Sequence, residues 1–516
     1  MDDPETYRAI RAADTTGSFQ IESRAQMQML PRTRPRNLDD ITVQVALVRP
    51  GPIQGGAVHP YIERRKLRRE DPGYEIPYEH PLLEPVLEET LGTIVFQEQV
   101  IESVMALADF SSSEAEGLRR AMSRKRSEEA IDEHRRRFFA GAAANDVPEE
   151  VAERVWSQIQ GFSGYGFPKA HSAAFGLLAY QSAWLRVHYG PEFLCSLLNE
   201  QPMGFYPPDS LVHEAQRRGI RVAPVDANRS KVLCHVESPR ADDVRGGLQV
   251  RVGLGYVKGV KKEEMEELVA ERERGGPYKG IAELASRSGA GLPSLEKLAW
   301  AGALDGIPVG SEDDRREALW RVGVTAAARL KDSGTQLALP MEPPAPPELE
   351  PLGEWGRLVA DYRSTGMTIE KHPMKLLRPT LDPKLARTSD LTELDRGSTV
   401  EVAGMVTARQ RPETANGITF LLLEDERGSV NLVVPPPVFD RRRPLVRNAP
   451  LLRARGRLER REGTVNVVVH DLAPLERPTL PQPRHSEQAP ARGSRKLAVA
   501  ELRAVVPVGH AFGRRG

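Results

Sequence analysis

The sequence predicts a multidomain α+β chain: a mostly helical N-terminal half, a middle region of short elements around glycine-rich turns, and a small C-terminal β-barrel. Three observations carry this. Helical periodicity dominates from about residue 80 to 200. Between 216 and 310 the pattern changes to short runs punctuated by glycine. From 398 to 475 five strand-like runs alternate with turns, the signature of a small barrel.

Taken in order, ETYRAIRAA near the N-terminus is a short helix pattern, and GSFQIESRAQMQML reads as a strand or turn leading into a helix. RPGPIQGG (49–56) is dense in Pro and Gly and reads as irregular structure. The helical block then runs through HPLLEPVLEETLG, QEQVIESVMALADF, SSSEAEGLRRAMSRKR, EEVAERVWSQIQGF and SAAFGLLAYQSAWLRVHYG. Ser112 or Ser113 ahead of Glu116 suggests a capping box, and Gly190-Pro191 a helix stop. RGIRVAPVDAN is a strand and loop. GLGYVKGV (253–260) is a glycine-rich hairpin before a helix, with a weaker copy at SLEKLAWAGALDGI (294–307). Six of the twelve residues from Pro340 to Pro351 are proline, which marks an extended linker. The barrel runs are STVEVAGMVTAR, GITFLLLEDERGSVNLVV and PLLRARGRLERREGTVNVVVHDL. The tail, 476–516, holds eight Arg/Lys against three Glu and reads as a disordered basic segment.

Lys+Arg and Asp+Glu both number 72, so any basic surface must be local. Two cysteines, Cys195 and Cys234, exclude a disulfide framework and a CxxC zinc site, and suit a reducing cytoplasm. The N-terminus lacks the apolar core of a signal peptide, and no apolar run is long enough to span a membrane.

Five stretches carry candidate chemistry. Arg119 and Arg120, with Arg124, Lys125 and Arg126, concentrate guanidinium groups on one helix. Two neighbours about 100° apart could grip one polyphosphate, or form only a solvated basic face. GYGFPKAHSAAFGLLAYQ (164–181) sets Lys169 and His171 at a helix N-terminus, where free N–H groups favour an anion. Its small residues Ala173, Ala174 and Gly176 suit a flat base or tight helix packing equally. The Gly253, Gly255, Lys258 and Gly259 hairpin could offer backbone N–H groups to a DNA phosphate. The barrel looks like an OB-fold, and Arg453 and Arg455 among its many arginines could track a single strand electrostatically, since aromatics are scarce there. QLALP (336–340) suits docking into a partner's groove. The acidic runs Asp2-Asp3, Asp39-Asp40, Asp313-Asp314 and Glu424-Asp425-Glu426 read as caps and turns, not as a two-metal centre.

Several strings then resemble one family in its own order: DTTGSFQIESRAQMQMLPR (14–32), VALVRPGPIQGGAVHPYIERR (45–65), GTIVFQEQV (92–100), GLRRAMSRKR (117–126) and GYGFPKAHSAAFGLLAYQSAWLRVHYGPEF (164–193). They are similar to the bacterial C-family DNA polymerases, the DNA polymerase III alpha subunits. QIESRAQMQMLPR, RPGPIQGGAVHPY and LVADYRSTGMTIEKHPM (358–374) resemble the error-prone paralogues.

The resemblance implies residues 1–45 as the end of the palm, 46–215 as a mostly helical fingers domain, and 216–335 as a tandem helix-hairpin-helix and clamp-binding region. It further implies 336–397 as clamp motif and linker, 398–475 as OB-fold and 476–516 as tail. Arg119, Arg120, Lys169 and His171 would meet the dNTP. Gly253, Gly255, Lys258, Gly259, Arg453 and Arg455 would meet primer-template DNA, and Gln336, Leu337 and Leu339 the sliding clamp. Other translesion-synthesis proteins are further partners, and no membrane is expected. The family's Mg2+-binding aspartates match no residue here, so the chain reads as a C-terminal portion with no catalytic or metal residue of its own. Against this enzyme reading stand a non-catalytic clamp-tethered remnant and, from the barrel alone, an OB-fold RNA-binding protein akin to the anticodon-binding domain of class II aminoacyl-tRNA synthetases.

Overall fold

A computed structural model describes residues 1–123, 128–162, 167–238, 247–307, 315–326, 346–412, 415–461, 464–475 and 510–512. The chain forms two compact units, the first essentially Met1–His188 and the second from Tyr189 onward.

The first unit is all helical. It comprises α1 (Pro4–Arg11), α2 (Arg24–Thr33), α3 (Leu38–Leu47), α4 (Pro50–Gln54), α5 (Val58–Glu70), α6 (Glu84–Leu87), α7 (Gln97–Ala108), α8 (Ser112–Ser123), α9 (Glu128–Ala144), α10 (Glu149–Gly161) and α11 (Lys169–His188). Local chemistry sets the starts: Asp3, Ser23 and Asn37 each accept a backbone N–H from the first turn of α1, α2 and α3. The Pro/Gly stretch at 49–56 is not irregular. It holds the single turn α4, because a proline at a helix start lacks only an N–H that would have no intrahelical partner. Ile41 and Val45 of α3 meet Ala179, Tyr180 and Ala183 of α11 in one core. A second core joins Val100, Val104 and Leu107 of α7 to Leu118 of α8, Phe138 of α9 and Trp156 of α10.

The second unit begins with α12 (Gly190–Asn199) and α13 (Pro208–Arg217). A small sheet follows, with β1 (Arg221–Ala223) parallel and β2 (His235–Glu237) antiparallel to the central β3 (Gln249–Arg251). Helices α14 (Lys262–Gly275), α15 (Ile281–Arg287), α16 (Leu292–Trp300) and α17 (Arg315–Thr325) share a core with α12, α13 and β3. Cys195 and Cys234 are free and buried, and burial pushes the Cys234 thiol up to about 11. After α18 (Glu354–Ser364) and α19 (Pro373–Leu377) the barrel is built from β4 (Thr399–Gln410), β5 (Thr419–Glu424), β6 (Ser429–Val434), α20 (Pro436–Asn448), β7 (Leu451–Arg461) and β8 (Thr464–Pro474). The ladder runs β5-β6-β8-β7-β4, and β4 pairs back onto β5, closing five strands. Where a disordered tail is the expectation, residues His510–Phe512 form β9, parallel to β4.

Alternation along β7 builds both faces of the barrel: Leu452, Ala454 and Leu458 turn into the core while Arg453, Arg455 and Arg457 are exposed. Gly456 lies between them where a Cβ would stand 2.2 Å from the Val468 carbonyl of β8. Gly456→Ala must therefore push β7 from β8. The expected result is a barrel destabilised by about 3 kcal/mol, read as a fall in thermal midpoint; an unchanged midpoint would contradict this packing.

Candidate functional site

In the first unit the candidate nucleotide residues lie on α8 and α11. A three-residue link joins α7 to α8, and Leu118 of α8 packs with Val104 and Leu107 of α7 in one core. The capping box that opens α8 is formed by Ser111 and Glu114, not by Ser112 or Ser113 with Glu116. Ser111 N–H donates to Glu114 at 2.8 Å, and Glu114 N–H to Ser111 Oγ at 3.2 Å. Glu116 is thereby released to another task. Its carboxylate accepts from Arg119 Nε at 2.7 Å, Arg119 Nη2 at 2.5 Å and Arg120 Nε at 3.2 Å. The Arg119 hydrogen bonds hold the Glu116 carboxyl down at about 2. Two guanidinium groups thus converge on one anion from a single helix. Arg124, Lys125 and Arg126 lie outside the described residues.

The N-terminus of α11 is occupied too, by protein carboxylates. Lys169 N–H donates to both oxygens of Glu98, at 3.1 and 3.0 Å, and Lys169 Nζ reaches Glu89 at 2.5 Å. That contact raises the lysine above its ordinary value. The helix end is anion-binding, and the anions belong to α7 and its approach. The small residues divide. Ser172 Oγ donates to the Thr42 carbonyl at 2.7 Å, and a Cβ on Gly176 would meet Thr42 Oγ1 at 3.1 Å, so this side serves tight packing on α3.

The neighbouring side, about 100° round the helix, carries rings. His171, exposed, stands 5.0 Å from Phe167 and 4.1 Å from Phe175, and Phe175 meets Phe19 edge-on at 5.3 Å. Arg49 lies 4.5 Å over the Phe167 ring. This half-exposed aromatic row is a surface on which a base can stack. Part of its sequence signal is the four-residue spacing of His171 and Phe175, which puts them on one face of α11, while Phe167 joins them from just before the helix.

In the second unit the hairpin departs from expectation. Gly253 is buried, and its Cβ would lie 2.4 Å from the Val232 carbonyl. Leu254 and Gly255 donate their N–H groups to the Lys231 and Val232 carbonyls, each at 2.9 Å, and Gly253 donates to Cys234 Sγ at 3.5 Å. Gly253 and Gly255 are therefore required for packing on residues 231–234 and hold no donor open for phosphate. Lys258 is also committed, its Nζ donating to the Tyr362 carbonyl at 3.1 Å. Gly259 is exposed, left-handed (φ 78°) and two residues before the N-cap of α14. On the barrel Arg455 is exposed, while Arg453 pairs with Glu401 at 3.1 Å. Gln336, Leu337 and Leu339 lie outside the described residues.

Glu424, expected as a turn residue, is buried in a cluster that sequence spacing could not reveal. His213 of α13 has Nδ1 3.5 Å from Glu424 and Nε2 3.7 Å from Asp209. Arg217 donates to Glu424 at 2.9 Å, and Tyr362 to Asp209 at 2.7 Å. His372 stacks at 4.7 Å from His213. His213, His372 and Glu424 are close enough to share a metal ion, but their chemistry does not fit one. Glu424 already holds Arg217, and His372 Nδ1 accepts the Met374 N–H at 3.1 Å, so its proton sits on Nε2 where a metal would bind. Nor do the acids beside the nucleotide candidates fit Mg2+, which wants free oxygen ligands: Glu89, Glu98 and Glu116 are all engaged.

A helical domain, a helix-hairpin-helix block and a five-stranded OB barrel define a multidomain chain of the nucleic-acid-binding class. Residues 1–146 match the bacterial DNA polymerase III alpha subunit finger domain, 219–318 the helix-hairpin-helix motif, and 400–475 the OB-fold nucleic acid binding domain. The chain is 44% identical over 479 residues to an error-prone DNA polymerase of Anaeromyxobacter sp. (strain K), covering 92% of this chain and 41% of that protein. It is 42% identical over 480 residues to that of Burkholderia pseudomallei (strain K96243), covering 92% and 44%. It is 43% identical over 477 residues to that of Corynebacterium efficiens, covering 92% and 42%. The chain belongs to the bacterial C-family of DNA polymerases, in their error-prone branch, and spans less than half the length of these relatives. No described helix is long and apolar enough to cross a membrane.

Proposed function

We propose that the chain supplies the nucleotide-positioning and DNA-holding part of an error-prone DNA-directed DNA polymerase acting in translesion synthesis and repair in the cytoplasm. The observation that carries this is the convergence of Arg119 and Arg120 on the single carboxylate of Glu116. In this reading the triphosphate of an incoming dNTP takes the place of that carboxylate, and the α11 ring row, with His171, packs on the base. The block around Gly259 and α14 holds primer-template duplex by its backbone, and Arg455 tracks single-stranded template. Gln336, Leu337 and Leu339 dock on the sliding clamp. Mg2+, when bound by family aspartates that match no residue of this chain, supplies charge neutralisation for nucleotidyl transfer. The residues here bind and orient, and orientation alone contributes substantially to such reactions.

Equilibrium titration with a fluorescent dNTP tests the reading. Arg119→Ala/Arg120→Ala is expected to weaken binding at least about tenfold, since each arginine contributes charge-assisted hydrogen bonds. Equal affinity would overturn the assignment. The engagement of Glu89, Glu98 and Glu116 favours a second reading, in which this chain by itself binds DNA without extending a primer. No incorporation is then expected in a Mg2+-dependent extension assay on the purified chain, and robust incorporation would sink that reading. A preference for RNA over DNA oligonucleotides would instead favour the barrel's RNA-binding alternative.

A further inference from the structure

Among the described residues of the first unit, a further concentration of positive charge lies on α1, α2 and α5. A cavity of about 570 Å³ is lined by Arg8 and Arg11 of α1, Arg32 and Arg34 at the end of α2, and Lys66 and Arg69 of α5, with Glu70 as the acid in its wall. A second cavity of about 530 Å³ shares Arg69 and adds Arg36, Arg65 and Arg68, together with Asp40, Glu88 and Glu89. The two form one track.

Part of this charge has a structural task. The last carbonyls of α2 and of the turn after it are closed by arginines: Arg69 donates to the Arg32 carbonyl at 3.1 Å, Arg65 to that of Thr33 at 2.5 Å, and Arg11 to that of Pro35, beyond the helix, at 3.3 Å. A helix C-terminus carries about half a negative charge and needs no more than that. Arg8, Arg34 and Lys66 add three further cations to the same concavity. Their nearby acids are modest: Glu5 pairs with Arg8 at 3.1 Å, and Glu70 with Lys66 at 3.8 Å, both on exposed side chains. The cations also crowd one another. Arg69 is held below its ordinary value by burial first, and then by Arg34, Arg65 and Arg36. A fold gains nothing from such an assembly unless an anion joins it.

The shape and lining say which anion. The track runs over two cavities, more than one triphosphate requires. The first cavity has no aromatic ring in its wall, so it offers no platform for a base. Successive phosphates satisfy both conditions, with contact to the backbone and none to base edges.

We propose that this groove binds the phosphodiester backbone of a nucleic-acid strand without regard to sequence. The inference rests on the nucleic-acid-binding reading above and adds a contact face on the first unit. Fluorescence anisotropy with labelled single-stranded (dT)20 and the full chain tests it. Arg34→Glu/Lys66→Glu removes two cations that the α2 cap does not use. It is expected to weaken binding about tenfold at moderate salt and to flatten the slope of log affinity against log salt by about 1.4, the value for two phosphate contacts on a single strand. Arg136→Glu, an exposed reversal on α9 outside the groove, is expected to bind as the parent does. Thermal unfolding confirms that each variant is folded. Unchanged affinity and slope in Arg34→Glu/Lys66→Glu, alongside a loss in Arg455→Glu, would overturn the groove alone. Loss of dATP binding with (dT)20 binding intact would overturn it in favour of a mononucleotide site. Absence of (dT)20 binding by the parent chain would overturn both this inference and the reading beneath it.

Discussion

Glu424→Ala is expected to lower the stability of the second unit by about 3–5 kcal/mol, the effect of removing one partner from a buried charge cluster. Glu424 is 2% exposed at the end of β5 and holds Arg217 at 2.9 Å and His213 at 3.5 Å. Its removal leaves Arg217 and His213 of α13 without that carboxylate, and Asp209 as the remaining acid beside the imidazole. The same residue joins the barrel to α13, so the loss falls on the union of two segments rather than on one strand. Urea unfolding followed by circular dichroism reads the change directly. A loss under about 1 kcal/mol, as for a solvent-exposed pair, would show that the cluster contributes no special stability.

The second large effect is a stability that falls on the alkaline side. Burial alone would lower His213, but Asp209 and Glu424 more than offset it, so its folded value is raised. A group raised on folding contributes stability that is fully present below its unfolded value, about 6.5, and lost as pH rises through the folded value. Asp209, raised by its burial, contributes in the same sense at lower pH. Glu424 has the opposite sign. Burial would raise it, yet His213 and Arg217 hold it at about 2, so its contribution is present above about 4.5 and lost as pH falls toward 2. His372, pushed well down by burial and by His213, stays neutral. With Arg217, Arg378 and Tyr362 these are the groups that face the imidazole. The midpoint of the second unit is therefore expected to be higher at pH 6 than at pH 9, and His213→Gln to flatten that limb. An equal alkaline fall in both proteins would assign it elsewhere.

Much of this architecture was legible in the residues. The helical block and the five barrel strands follow from periodicity and turn chemistry, which are local, whereas much of the segment 336–397, expected as clamp motif and linker, folds into α18 and α19 over a core of Leu358, Tyr362, Met374 and Leu377. The reading of PGPIQ as irregular failed because prolines break helices only beyond the first turn. The arginine pair was legible, but its partner was not. Glu116 looked like the end of a capping box, and only the register of Ser111 with Glu114 shows it to be free for Arg119. The glycines of GLGYVKGV were read as open donors. Whether an N–H faces solvent or the Lys231–Cys234 segment depends on packing across some twenty residues. The cluster of His213, His372 and Glu424 was beyond reach for the same reason on a larger scale: three segments meet there, and no spacing announces it.

The carboxylate seated between Arg119 and Arg120 also has a consequence for selectivity. An anion arriving at that pair must evict a group already bound at 2.5 to 3.2 Å. In the reading proposed above, the several adjacent negative charges of a triphosphate displace Glu116 from the pair, and Glu116 serves as the counterion of Arg119 and Arg120 until they do.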